Sequence, residues 1–118
     1  MDTSGATNPA PEPAYQTARY DPSQFSYTFP SLTAGATYKV RLHMIEPYSW
    51  FTGTRPMNVD INGSLVLTNY DPATAAGGSF KAVIPEFSVA ADSNGKIKIT
   101  FIRLNGDVPC VAAIEILN

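Results

Sequence analysis

Few residues in this 118-residue chain could do acid–base, nucleophilic or metal chemistry. His43 is the only histidine and Cys110 the only cysteine. A site built from several histidines or cysteines is therefore excluded, and a serine–histidine–aspartate triad survives only if His43 is its base. His43 falls among Lys39 and Arg41 in an alternating run, which is the pattern of a solvated histidine on the polar face of a strand. No serine occupies a nucleophile elbow, because the Gly-Ser pairs at 63–64 and 78–79 read as turns. Cys110 follows Pro109 and opens an apolar run with no base beside it, so a buried, inert thiol is expected. Glu46, Asp60, Asp71, Glu86, Asp92 and Asp107 are scattered, whereas paired-acid hydrolysis needs two carboxyls across one cleft. Most of them read as surface charge. The stretches DPATAAGG and ADSNG lack the dense oxygen ligands of a calcium loop. The expectation is no catalytic residue, no metal and no cofactor.

The remaining concentration of chemistry is aromatic. EPYSWFTGTRP, residues 46–56, sets Tyr48, Trp50 and Phe51 within four positions between Pro47 and Gly53, which signal a loop. Rings of that size normally go inside a fold, so three of them in a loop call for a reason.

Charged residues make up 15% of the chain and the net charge is −2, which leaves no basic field for a nucleic-acid backbone. No apolar run reaches the length of a membrane-spanning helix, and the N-terminus has no basic region followed by an apolar stretch. Neither a nucleic-acid partner, nor a membrane, nor an export signal within the sequence is expected. The length fits one domain able to bury a core without staples. Residues 1–14, MDTSGATNPAPEPA, have the proline-spaced small and polar composition of a linker or tether, which leaves 15–118 as the folded module.

Beyond Tyr15 the apolar pattern has period two. Phe25, Tyr27 and Phe29 alternate with Ser26 and Thr28; Tyr38, Val40, Leu42 and Met44 with Lys39, Arg41 and His43; Ile97, Ile99 and Phe101 with Lys98 and Thr100. Each run describes a strand with one buried and one wet face. No comparable window has helical spacing. VDINGSLVL places apolar residues on either side of Asn62-Gly63, a pair suited to the positive φ values of a type I′ hairpin. Gly35 and Gly95 supply further turns, and NYDPATAAGGS, residues 69–79, reads as a longer irregular loop. Strands of this kind must cover one another's apolar faces, which predicts an all-β, antiparallel β-sandwich.

AYQTARYDPSQFSYTFPSLTAGATYKVRLHMIEPY, the hairpin PMNVDINGSLVL, the TNYDPATAAGG loop and GDVPCVAAIEI together resemble the malectin and malectin-like carbohydrate-binding domains. These include modules appended to bacterial glycoside hydrolases. The resemblance runs from about Tyr15 to Ile116. It implies a jelly-roll-like sandwich that binds oligo- or polysaccharide, glucan or related, through loops at one end and without catalysis. It further implies a secreted or cell-surface module within a larger enzyme, whose other domains would be its partners. By position, Tyr20 matches a sugar-contacting ring, Tyr48 matches the first of an aromatic pair, and Asp107 matches an acid that hydrogen-bonds sugar hydroxyls. Ser49 departs from the second aromatic position, and Trp50 and Phe51 follow it immediately. The family usually carries a further N-terminal segment with another tyrosine, which is lacking here.

A pyranose ring has an apolar face of C–H groups on which an exposed aromatic stacks, while nearby polar groups satisfy the rim hydroxyls. On that reading Tyr48, Trp50 and Phe51 are held out because the ligand covers them. The alternatives are that some of the three cap the end of the core, that Tyr20 packs under the 21–24 turn, and that Asp107 caps a turn after Gly106. The alternative function is a structural or protein-interaction β-sandwich module of a multidomain secreted enzyme, with the loop docking a partner domain instead of glycan. In the resembled family the C-terminal strand, here VAAIEIL, has an early strand as neighbour. Its absence would leave an edge able to recruit a second copy or exchange a strand.

Overall fold

In the computed structural model, residues 19–20, 24–46, 53, 55–104, 106 and 109–118 are described. The strands are β1 (Arg19–Tyr20), β2 (Gln24–Phe29), β3 (Thr37–His43), β4 (Met57–Ile61), β5 (Ser64–Tyr70), β6 (Glu86–Ala90), β7 (Ile97–Arg103), β8 (Cys110–Val111) and β9 (Ala113–Leu117). One short helix, α1 (Pro72–Ala76), follows β5. All pairings are antiparallel. They form a four-stranded sheet in the order β2-β7-β4-β5, a three-stranded sheet in the order β6-β3-β9, and a two-stranded β1-β8 pair. The chain passes repeatedly from one sheet to the other, giving the jelly-roll-like antiparallel sandwich.

Period-two patterning sets which side chains meet in the middle. From the larger sheet come Phe25, Met57, Val59, Ile61, Ile97, Ile99 and Phe101, and from the smaller one Tyr38, Val40 and Leu42, with Met44 just beyond β3, all in one buried cluster. Phe25 and Phe101 are register partners with stacked rings 4.8 Å apart. Burying each such side chain stabilises the fold by roughly 1.5–3 kcal/mol. The hairpin at Asn62-Gly63 forms as its sequence predicts, with φ of 51° and 85°. Asn62 also joins the neighbouring β7: its Oδ1 accepts from the Lys98 N–H at 2.8 Å and its N–H donates to the Lys98 carbonyl at 2.9 Å. Gly95, with φ of 70°, lies so close to Leu32 that an added Cβ would stand 2.3 Å from the Leu32 carbonyl oxygen. Among the described residues β9 lies at the edge of its sheet.

The structure departs from the sequence reading at three places. The 69–79 stretch is not wholly irregular, because Asp71 caps α1, Pro72 opens it and Gly77 ends it in the left-handed conformation. Residues 86–90 form a strand that the alternation alone did not single out. His43 is not solvated: it is 1% exposed, with Nε2 2.5 Å from Glu115 Oε1. Arg41, also buried, bridges Glu86 at 2.7 Å and Glu115 at 2.9 Å on the same outer face of β3. The partner on β9 explains the burial, since a carboxylate replaces the water that a strand histidine would otherwise need. The His43 hydrogen bond is the chief reason that the Glu115 carboxyl lies below its ordinary pKa.

Candidate functional site

The aromatic loop leaves the end of β3 and returns at the start of β4. Just before it, Glu46 is fully buried; just after it, Arg55 is 3% exposed. Their side chains meet in a two-pronged ion pair, with Arg55 Nε 2.9 Å from Glu46 Oε1 and Nη2 3.1 Å from Oε2. Only arginine offers that parallel fork to a carboxylate. Because the two residues bracket 47–54, the pair closes the base of the loop. The Phe80 N–H donates to the Glu46 carbonyl at 3.0 Å, tying the same point to the segment after α1.

A second carboxylate holds the returning end. Asp71 Oδ2 accepts from the Gly53 N–H at 2.8 Å and from both the N–H and the hydroxyl of Thr74 at 2.9 Å, while Oδ1 accepts from the Arg55 N–H at 2.9 Å. One side chain thus caps α1 and clamps the aromatic loop. Burial alone would raise the Asp71 pKa, but its hydrogen bonds from Gly53, Thr74 and Arg55 outweigh burial and hold the carboxyl below its ordinary value. The charged form is the one that the geometry favours.

Asp71 is one of six scattered acids most of which read as surface charge in the sequence, yet it is 8% exposed. A signal for its local role was present in D-P-A-T: an N-cap acid, proline at the first helical position and a hydroxyl residue three positions after the acid. Nothing in the sequence indicates that the same carboxylate reaches across to Gly53 and Arg55, which requires the two loops to be adjacent in space.

Of the predicted site residues, Tyr48, Trp50, Phe51 and Asp107 lie outside the described residues. The backbone of Tyr20 pairs with Cys110 in the β1-β8 ladder. Cys110 in turn contacts the loop approach, its Sγ 3.9 Å from the Ile45 carbonyl oxygen. Backbone points next to three of the candidate segments therefore meet at one place: Tyr20 itself, Cys110 three positions after Asp107, and Ile45 just ahead of the aromatics. Cys110 is buried, and burial pushes its thiol up to about 11. Such a thiol is packing, not a nucleophile.

A family model described as the Malectin domain matches residues 2–114. Among solved structures, the extracellular domain of ANXUR2 from Arabidopsis thaliana superposes with a TM-score of 0.84 at 19% identity, covering 98% of this chain and 36% of that one. The plant receptor-like kinase ANX2 gives 0.81 at 20% identity, with 90% and 32% covered. β-Glucuronidase 2 of Bacteroides uniformis gives 0.77 at 20% identity, with all of this chain and 12% of the enzyme covered. The chain thus spans about a third of the plant structures and a small part of the enzyme. No curated protein sequence matches it. No helix among the described residues is long and apolar enough to cross a membrane.

Proposed function

The chain belongs to the malectin domain family, and from that premise we propose that it is a non-catalytic module that binds oligo- or polysaccharide. The observation that carries this reading is the anchored loop base. Glu46, Arg55 and Asp71 fix both ends of the segment that bears Tyr48, Trp50 and Phe51. Stacking on a sugar face is effective only when the rings are held in place before the ligand arrives, since ordering them on binding would consume the gain. Tyr20 and Asp107 complete the proposed site, the first as a further ring and the second as an acceptor for sugar hydroxyls. The extracellular setting of the plant structures and the size of the enzyme that contains a similar fold support a secreted module within a larger protein.

A glycan array followed by calorimetry tests the proposal. Trp50→Ala and Tyr48→Ala should each weaken sugar binding by about 1–3 kcal/mol, taking the increment for bases stacked on aromatics as a guide. Thermal stability should be largely kept, and no reducing ends should be released from any bound glycan. Release of reducing ends abolished by one carboxylate substitution would establish an enzyme instead. Normal sugar binding in both variants, together with loss of contact to a neighbouring protein domain, would make the loop a protein-docking element.

A further inference from the structure

Between the end of β5, α1, Gly53 and Pro56 lies a cleft of about 470 Å³. We propose that it is a second sugar subsite, which takes a further unit of a saccharide whose first ring lies on the aromatic loop. The inference rests on the carbohydrate-binding reading above and adds residues to it that lie outside the five proposed there.

The backbone of β5 is shaped to line this cleft. Between the pairs Met57–Tyr70 and Val59–Leu67, β5 spends one residue more than β4, so an extra residue is bulged out. Asn69 takes φ of 51°, a left-handed conformation that asparagine tolerates better than most residues. The Asn69 N–H donates at 2.9 Å to the side-chain oxygen of Asn58 on the adjacent strand. In a regular strand, consecutive side chains face opposite ways, yet Thr68, Asn69 and Tyr70 all border the cleft. Re-aiming side chains on an edge strand is what a bulge accomplishes.

The polar groups so gathered are uncommitted. The Thr68 hydroxyl, the Asn69 amide and the Tyr70 hydroxyl make no hydrogen bond with the described residues, and Thr68 and Asn69 are exposed. Burial of the Tyr70 ring pushes its hydroxyl up to about 12, so it remains a neutral donor. Asp71 also borders the cleft, but both its oxygens are occupied by Gly53, Arg55 and Thr74. Among the described residues no lysine, arginine or histidine lines the cleft, so none of them would hold a phosphate or an acidic peptide there. Pro56 and Ala75 contribute apolar surface beside these groups. Neutral hydroxyls and an amide, which both donate and accept, set against apolar patches suit a ligand made of hydroxyls on a C–H framework. The volume lies within the range of about 300–1,000 Å³ usual for small-ligand sites. Both walls are fixed in advance, because the Asp71 carboxylate grips Gly53 on one side and Thr74 on the other.

The test is calorimetry with glucose oligomers of increasing length, in α-1,4, β-1,3 and β-1,4 series, against the wild type, Asn69→Gly and Tyr70→Phe. The glycine keeps the left-handed backbone and the phenylalanine keeps the ring, so melting temperatures close to wild type accompany either loss of hydrogen bonding. Wild-type affinity should rise with length beyond the shortest oligomer that binds. Each variant should lose that rise, by about three- to tenfold for the longer oligomers, the loss that one or two neutral hydrogen bonds produce. Binding of the shortest oligomer should be unchanged. Longer oligomers that bind both variants as they bind the wild type would overturn the subsite and leave the carbohydrate-binding reading standing. A variant that lost the shortest oligomer equally would also overturn it, since the cleft would then act only through the main site. A wild type that bound none of the three series would refute both readings for glucose polymers.

Discussion

Asp71→Ala removes the one side chain that both caps α1 and clamps the aromatic loop. Its cost can be worked out donor by donor. Loss of an N-cap acid costs about 1 kcal/mol. The Gly53 N–H belongs to an exposed residue and regains a partner from water, at little cost. The Arg55 N–H belongs to a buried residue, and leaving it unpaired costs roughly 1–3 kcal/mol. The sum is about 2–4 kcal/mol, or a fall of about 8–16 °C in melting temperature for a domain of this length. Asp71→Asn retains one acceptor oxygen and should fall between the two. The pH dependence follows from the lowered pKa. Stability from a carboxyl whose folded pKa is depressed is fully present above its unfolded pKa, near 4, and is lost as the pH falls through the folded value. The difference in melting temperature between wild type and Asp71→Asn should therefore be largest near neutrality and shrink below about pH 4. Scanning calorimetry across pH 3–7 measures it. An alanine variant that melted within about 2 °C of wild type at neutral pH would refute the clamp, because the estimated loss is several times that.

Other outcomes follow from the same geometry. Glu46→Ala or Arg55→Ala removes one half of a buried ion pair and should cost about 3–5 kcal/mol by chemical denaturation, whereas the double substitution Glu46→Met with Arg55→Met should be distinctly milder than either. Gly95→Ala should destabilise the fold by more than Gly35→Ala. Both glycines have positive φ, but only at Gly95 would the new Cβ meet a backbone oxygen at 2.3 Å. Melting temperatures of the two variants decide it. Cys110, with its thiol raised to about 11, should resist aromatic disulfide reagents at pH 8 until denaturant is added; stoichiometric labelling of the native protein would contradict its packing role.

Alternation was enough to locate the strands that carry the core, because a side chain pointing inward every second residue leaves its mark on the sequence. Tyr38, Val40, Leu42 and Met44 are legible in that way, and so is the Asn62-Gly63 hairpin, whose chemistry is local. What alternation could not convey is burial on the second face of a strand. Arg41 and His43 occupy the face that reads as polar, and the registered positions of Glu115 on β9 and Glu86 on β6 help to make their burial tolerable. Register between strands that lie far apart in sequence is not written into either one. The same holds for Asp71, whose capping role is legible in the four residues D-P-A-T but whose grip on Gly53 and Arg55 depends on two loops meeting. The bulge at Asn69 left no sequence signal beyond the asparagine itself. For the proposed sugar contacts, aromatic clustering and family resemblance point to the loop, while its anchoring emerges only from Glu46, Arg55 and Asp71 in three dimensions.

In the proposed function the loop holding Trp50 meets a sugar. Trp50 is the only tryptophan in the chain, so its fluorescence reports on that loop alone. Titration of the wild type with an oligosaccharide that calorimetry shows to bind should give a saturable change in tryptophan emission, shifted to shorter wavelength as the ring is covered. The midpoint should match the calorimetric one. Saturable heat of binding with tryptophan emission unchanged throughout would place the sugar elsewhere and refute a sugar site on this loop.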